Sequence, residues 1–386
     1  MPAHKNQHYV PKFYLRNFSA DAKRLCSFLL STKTGIQFAG IKEQCSKDYF
    51  YANDPNIEHT LSEYIEGPVQ SVIDSILKTQ QVPQKMSPDM AQLLTFIVTL
   101  HGRTAAAKRG IEEMVSNFGD QILKAKAIAS GKFTAKQLER FRLKVNSPAM
   151  MALSFATLTV PLACDLDAVV LKSGTGDFIT SDNPVILLNP YMAGLWEGSN
   201  TGWALSGLQV AVPLSPELMV FFYDSAVYEL ADHGRSLVLS TEDMLKLNQV
   251  QASNAEQTLY FRDWNKFPDV KALVSGIPTS RTAARSQAAM KKMTDEFGHE
   301  LEVFHQRRVD PQLSGPLAFV RLRKDYEKIP SHERRPMSVR RPDFVAVHQE
   351  ITRDILNTKG SPGELERRMN RMQGHRALTA SIAHIL

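Results

Sequence analysis

Cysteine is scarce: Cys26, Cys45 and Cys164 are the three in 386 residues. Their odd number and wide spacing, with no second ligand nearby, argue against a disulfide framework or a zinc site and predict reduced, buried thiols. Long apolar runs are missing too. The longest, LLTFIVTL at 93–100 and LMVFFY at 218–223, fall well short of the roughly 20 residues that span a bilayer. The opening MPAHKNQHYVPK has no apolar stretch after its basic residues, so a secretory signal is not expected and a cytoplasmic location is. No GxGxxG, Walker loop, HExxH or paired CxxC points to a cofactor enzyme. No repeat of solenoid length is present.

What is there is an ordinary globular composition, 43% hydrophobic and 22% charged, with length for one large or two medium domains. The net charge of +6 is uneven. Residues 272–386 hold 20 Lys and Arg against 13 Asp and Glu, and the remainder of the chain is close to neutral. Such an excess reads either as a surface for an anionic partner, nucleic acid above all, or as a solvated helical face, since acids are interleaved with the bases.

The pattern along the chain predicts an α+β fold, a mostly antiparallel central sheet flanked by long helices. Residues 24–41, broken at Thr34-Gly35, read as a strand pair or as a strand with a turn. A helix follows with Asp54 as N-cap and Pro55 at N1, a stripe through Ile57, Leu61 and Ile65, and a kink at Gly67-Pro68. A second helix opens at Ser87-Pro88 and lines up Met90, Leu93, Leu94, Ile97 and Val98. Between 166 and 223 the segments turn short, β-branched and aromatic, as strands do. Residues 240–261 return to helical spacing, with Thr241 as N-cap and two amides, Asn248 and Gln251, on the core-facing stripe. The division drawn from this is an α+β domain at 1–268 and a basic, largely helical extension at 269–386.

Two stretches concentrate chemistry. In QHYVPKFYLRNF, Pro11 starts a short helix that points Tyr14, Leu15 and Phe18 one way, with Arg16 on its polar side and His8 just before it, placed to act as base, ligand or hydrogen-bond partner. A segment this dense near a terminus docks into the body. In DFITSDNPVIL, Ser181, Asp182 and Asn183 project from the tip of a strand, where they form either a site or an ordinary Asx-turn. Glu58 and Glu66, eight residues apart on one broad side of a helix, suit a divalent metal or the positioning of a base, unless Arg103 in LHGRT pairs with them.

In order, QHYVPKFYLRNFS, CSKDYFY, NIEHTLSEYIEG, FIVTLHGRT, DFITSDNPVIL, VAVPLSPELMVFFYD and LNQVQASNAEQTLYF resemble the domain-of-unknown-function family 4238, with its His-Tyr-Val-Pro and Thr-Ser-Asp-Asn-Pro motifs, over roughly residues 4–265. The resemblance maps the motif positions onto His8, Pro11, Tyr14, Arg16, Phe18, Glu58, Glu66, Arg103, Ser181, Asp182, Asn183, Pro184, Asn248 and Gln251. It departs at Ala105, where proline is expected after Arg-Thr. It supplies a grouping and no chemistry. From the residues, one reading is a hydrolase acting on a phosphate ester, with a nuclease as its specific form. His8, Asp182 and Asn183 would be catalytic, Arg16, Arg103, Ser181, Asn248 and Gln251 would hold a phosphate-containing ligand or nucleic acid, and Glu58 and Glu66 would hold a divalent metal. The alternative is a non-enzymatic binding or regulatory protein in which the same residues form a structural polar network.

Overall fold

The computed structural model describes residues 5–51, 56–193, 195, 200–232, 234, 236–275, 286–294, 298, 300–308, 311–334 and 338–357. The fold is α+β and is organised around two sheets. In the larger, the order is β11 (Ser236–Val238), β5 (Asp167–Lys172), β9 (Leu218–Tyr223), β8 (Gln209–Pro213) and β7 (Ile186–Leu188). All its pairs are antiparallel except β11 with β5. The smaller runs β3 (Thr34–Gly40), β2 (Arg24–Leu29), β12 (Thr258–Phe261) and β6 (Thr180–Ser181), antiparallel throughout. Strand β1 (Asn6–His8) pairs with β4 (Ser46–Asp48).

The helices are α1 (Lys12–Arg16), α2 (Ile57–Leu61), α3 (Gly67–Thr79), α4 (Pro88–Gly102), α5 (Ala105–Phe118), α6 (Lys124–Ala129), α7 (Ala135–Leu138), α8 (Pro148–Leu158), α9 (Thr241–Asn254) and α10 (Phe267–Leu273). The larger sheet is covered on both faces, which is why its strands are continuous apolar runs and do not alternate. Val170, Leu187, Val212, Val220 and Phe222 share a core with α1, α3, α4 and α8. On the opposite face Leu171, Ile186, Ala211, Met219 and Phe221 pack with Met244, Leu247 and Val250 of α9. Helix α4 presses against α8 so closely that a Cβ on Gly102 would run into the Ala156 Cβ and lie 3.0 Å from the Ala152 carbonyl.

Local expectations fare unevenly. Ser87 caps α4 by accepting the Met90 N–H, with Pro88 at the first position, as its sequence predicts. Asp54 and Pro55 lie outside the described residues. The cap of α9 is Ser240, whose Oγ accepts the Asp243 N–H, and not Thr241. Gly35 is inside β3 and not at a turn; a Cβ there would strike the rings of Phe267 and Trp264. At Gly67-Pro68 the chain widens into a π-helical turn, Ser62–Glu66, before α3 begins. Proline has no N–H to donate and its ring crowds the carbonyl four residues back, and the wider turn accommodates both.

The last third is less helical than its composition implies. Among its described residues, α11 (Lys324–Glu327) and α12 (Pro342–Asn357) share the segment with a hairpin, β13 (Ser286–Thr294) with β14 (Glu300–Arg308), and with β15 (Val320–Leu322), which pairs with β10 (Tyr228–Leu230). Leu317 and Phe319 enter the core beneath the larger sheet, and Val270 and Val274 share a core with Phe28 and Phe261. Arg340, its side chain 2% exposed, forks onto Asp165 at 2.9 and 3.0 Å and also donates to the carbonyls of Leu162, Trp203 and Leu205. Some of the basic excess is therefore committed to tying this segment down. Among the described residues no helix is long and apolar enough to cross a membrane. All three cysteines are free and buried.

Candidate functional site

The opening segment does dock. Tyr14, Leu15 and Phe18 are fully buried, and the Tyr14 hydroxyl donates to the Pro213 carbonyl at 2.6 Å and meets Thr180 Oγ1 at 2.8 Å. Gln7 Oε1 accepts the Tyr51 N–H. His8 is held by three of its own groups. Its N–H donates to Glu58 Oε1 at 2.7 Å, its carbonyl accepts from Arg103 Nη2 at 2.7 Å, and its ring Nε2 donates to the Lys42 carbonyl at 3.1 Å. A carbonyl can only accept, so this contact puts the ring proton on Nε2. Burial, then the charge of Lys12, lowers the pKa of this imidazole, which keeps it neutral.

Arg103 ends α4 with its side chain 1% exposed. Besides the His8 carbonyl, it reaches Glu66 Oε1 through Nη1 at 2.7 Å and Tyr51 Oη through Nε at 3.1 Å. Glu58 stands close enough for Arg103 to oppose the upward push that burial gives its carboxyl. Glu66 thus pairs with an arginine and Glu58 with the His8 N–H, and among the described residues no three His, Cys, Asp or Glu side chains gather as a metal site would require. Arg16 is exposed at the end of α1 and takes no part in this cluster.

The neighbouring residue, Thr104, opens the second half. Its Oγ1 caps α5 by accepting the Ala107 N–H and donates to Asn183 Oδ1 at 3.1 Å. Ala105 is at the first position of α5, where a proline is tolerated but not needed, so this departure from the family pattern leaves the helix start intact. Asn183 Nδ2 donates to the Asn254 carbonyl and Oδ1, and Asn254 Nδ2 returns to the carbonyls of Asn183 and Val185. Ser181 Oγ accepts from the Asn183 N–H at 3.0 Å and from Gln251 Nε2 at 2.6 Å. Gln251 Oε1 has no partner among the described residues. Asn248 bridges α9 to the approach of β6, accepting the Ile179 N–H and donating to the Asp177 carbonyl.

Asp182 serves the turn between α9 and β12. Its Oδ1 accepts the Glu256 N–H at 2.7 Å, and its Oδ2 accepts those of Gln257 at 2.8 Å and Thr258 at 3.3 Å. Full burial pushes its pKa up to about 6, against the pull of those three N–H groups. Burial also raises the Cys45 thiol and the Tyr260 hydroxyl, which meet at 3.3 Å, well above their ordinary values.

The motif residues therefore converge in two knots joined at Arg103-Thr104. One holds His8, Tyr51, Glu58, Glu66 and Arg103; the other holds Ser181, Asn183, Gln251, Asn254 and Thr104. The side chains of His8 and Asp182 bond to different stretches of backbone. Tyr51, Thr104 and Asn254 belong to the network without having stood out in the sequence; an asparagine at a helix end is the signal that marks Asn254. Two cavities, of about 450 and 650 Å³, are lined by described residues other than His8, Arg103, Asp182 and Asn183; Asn248 lines the smaller of these two. No curated protein and no solved structure matches the chain. A family model does, over residues 6–265, and the segments it spans are those knotted together here. On that match the chain belongs to the family described as protein of unknown function (DUF4238).

Proposed function

We propose that this protein is a non-enzymatic binding protein of the cytoplasm and that its motif residues are the frame of the fold, not a reactive centre. The observation that carries this is Asp182. Its carboxylate is 2% exposed and both oxygens are taken by the N–H groups of residues 256–258. A phosphate-ester hydrolase built on His8, Asp182 and Asn183 needs polar atoms turned toward a space that substrate can enter. Here they are turned toward backbone and, at Asn183, toward the side chains of Thr104 and Asn254. A buried carboxylate paired on both oxygens in this way helps to specify a unique core. The three free, buried thiols suit a reducing compartment.

The test is turnover. The full chain is incubated with single- and double-stranded oligonucleotides and nucleoside phosphates, with and without divalent cations. The expected result is no hydrolysis above that of the Asp182→Asn chain. Hydrolysis by the wild type that disappears in Asp182→Asn, while the variant still melts cooperatively, overturns the reading in favour of the hydrolase.

A further inference from the structure

A cavity of about 650 Å³ lies between the end of the five-stranded sheet at which β8 begins and the segment 313–327. Gln209, the first residue of β8, lines it. Strand alternation puts Gln209 on the same face as Ala211, which packs toward Leu317 and Phe319. Gln209 is 1% exposed, yet among the described residues neither Nε2 nor Oε1 of its carboxamide has a hydrogen-bond partner. Leaving both a donor and an acceptor of one side chain buried and unpaired is costly, and a Leu or Met would fill the same space without that cost. The other walls are apolar or aromatic, with Tyr191, Tyr228, Leu317 and Val320 among them. Tyr228 is fixed in place, its hydroxyl accepting the Tyr191 N–H and donating to the Gly207 carbonyl. Arg321 and Lys324 share the mouth with Glu229 and Glu327, so the rim selects for no net charge.

We infer that this cavity is a binding site for a small, uncharged, planar molecule with a hydrogen-bond donor and acceptor side by side, the edge shared by nucleobases and primary aromatic amides. The volume lies in the range of small-molecule sites, and an apolar enclosure with one well-placed polar group is their usual composition. A glutamine carboxamide matches such an edge with two parallel hydrogen bonds, as it does with adenine. Rotation about its side-chain bonds brings the amide to a guest. The inference rests on the reading that the protein works by binding, and it assigns that binding to a cavity separate from the motif network.

The test uses the full chain and four probes: adenine, uracil, benzamide, and toluene as the planar control without the edge. Binding is followed by ligand-observed NMR and calorimetry. At least one of the first three should bind with a Kd below about 1 mM, and toluene more weakly. Preference for adenine or uracil identifies a nucleobase site; preference for benzamide identifies an aromatic amide site. Gln209→Leu should raise the melting temperature, because it removes two unpaired polar atoms, and should weaken the preferred probe at least about tenfold. Ala318→Trp places a large ring on an exposed lining position and should abolish binding with the melting temperature kept. If Gln209→Leu does not fold, Ala318→Trp decides. Failure of all three probes to bind, or binding unchanged in both variants, overturns the site. Either failure leaves the Asp182 reading to its turnover assay, and hydrolysis lost in Asp182→Asn leaves this site to its own titration.

Discussion

Replacing Arg103 with methionine keeps the bulk and apolar stem of the side chain and removes its guanidinium. Three partners lose their donor: Glu66 Oε1 at 2.7 Å, the His8 carbonyl at 2.7 Å and the Tyr51 hydroxyl at 3.1 Å. Breaking a buried pair from one side costs about 3–5 kcal/mol. Glu66 is 20% exposed and keeps part of its hydration once orphaned, which favours the lower end, about 3 kcal/mol. At the usual unfolding entropy per residue, a chain of this size would then melt about 4 °C lower. The assay is a thermal melt by circular dichroism on wild type, Arg103→Met, Glu66→Gln and the double variant. The double variant should be more stable than the sum of the singles implies, by about 1–2 kcal/mol, because the two side chains share one interaction. Arg103→Lys should fall between wild type and Arg103→Met, since an ammonium cannot serve three acceptors in a plane. A melting temperature of Arg103→Met within about 1 °C of wild type, or above it, would rule out a structural role for this buried pair. That is the behaviour of a ligand-pocket arginine, whose placement costs the fold stability.

The Asp182 carboxyl has a folded pKa of about 6, above its ordinary value, so its contribution to stability is full below about pH 4 and is lost as pH rises through 6. The stability of wild type relative to Asp182→Asn, from urea titrations, should therefore fall by about 2 kcal/mol between pH 4 and 7; a gap that is flat or widens with pH contradicts the assigned burial. Arg340→Leu leaves Asp165 and three carbonyls without their donor and should destabilise by about 3–5 kcal/mol, seen as a lower urea midpoint. An unchanged midpoint would mean that the last third does not contribute to the stability of the body.

The elements legible in the sequence are those whose cause is local. Ser87-Pro88 announces α4 because cap and first-turn chemistry act within three residues. The core face of α9 is readable because Asn248 and Gln251 recur at helical spacing with Met244. The roles of the polar residues were not readable, because their partners are distant in the chain. Asp182 looks like an Asx-turn or a catalytic acid until residues 256–258 are placed against it. Arg340 looks like one more charge on a basic surface until it is seen against Asp165. Gln209 stands alone in an apolar strand and carries no local mark of its burial, which comes from the segments that cover both faces of its sheet. The parallel pairing of β11 with β5 has no local signature, since a strand three residues long carries none.

Strand β12 lies between β2 and β6, bonded to both. On the ribosome, β2 and β6 therefore emerge long before the strand that joins them. Until residues 258–261 appear, the β2 edge that β12 will cover has unpaired N–H and C=O groups, and Asp182 lacks the three N–H groups it will bind. A nascent or truncated chain that stops short of β12 thus displays two open sheet edges and a buried-to-be acid with nothing to cap, the kind of surface that recruits a second chain or a chaperone. Closure of the smaller sheet is a late event in synthesis, and the same short strand that completes it fastens the ends of the family's segment to each other.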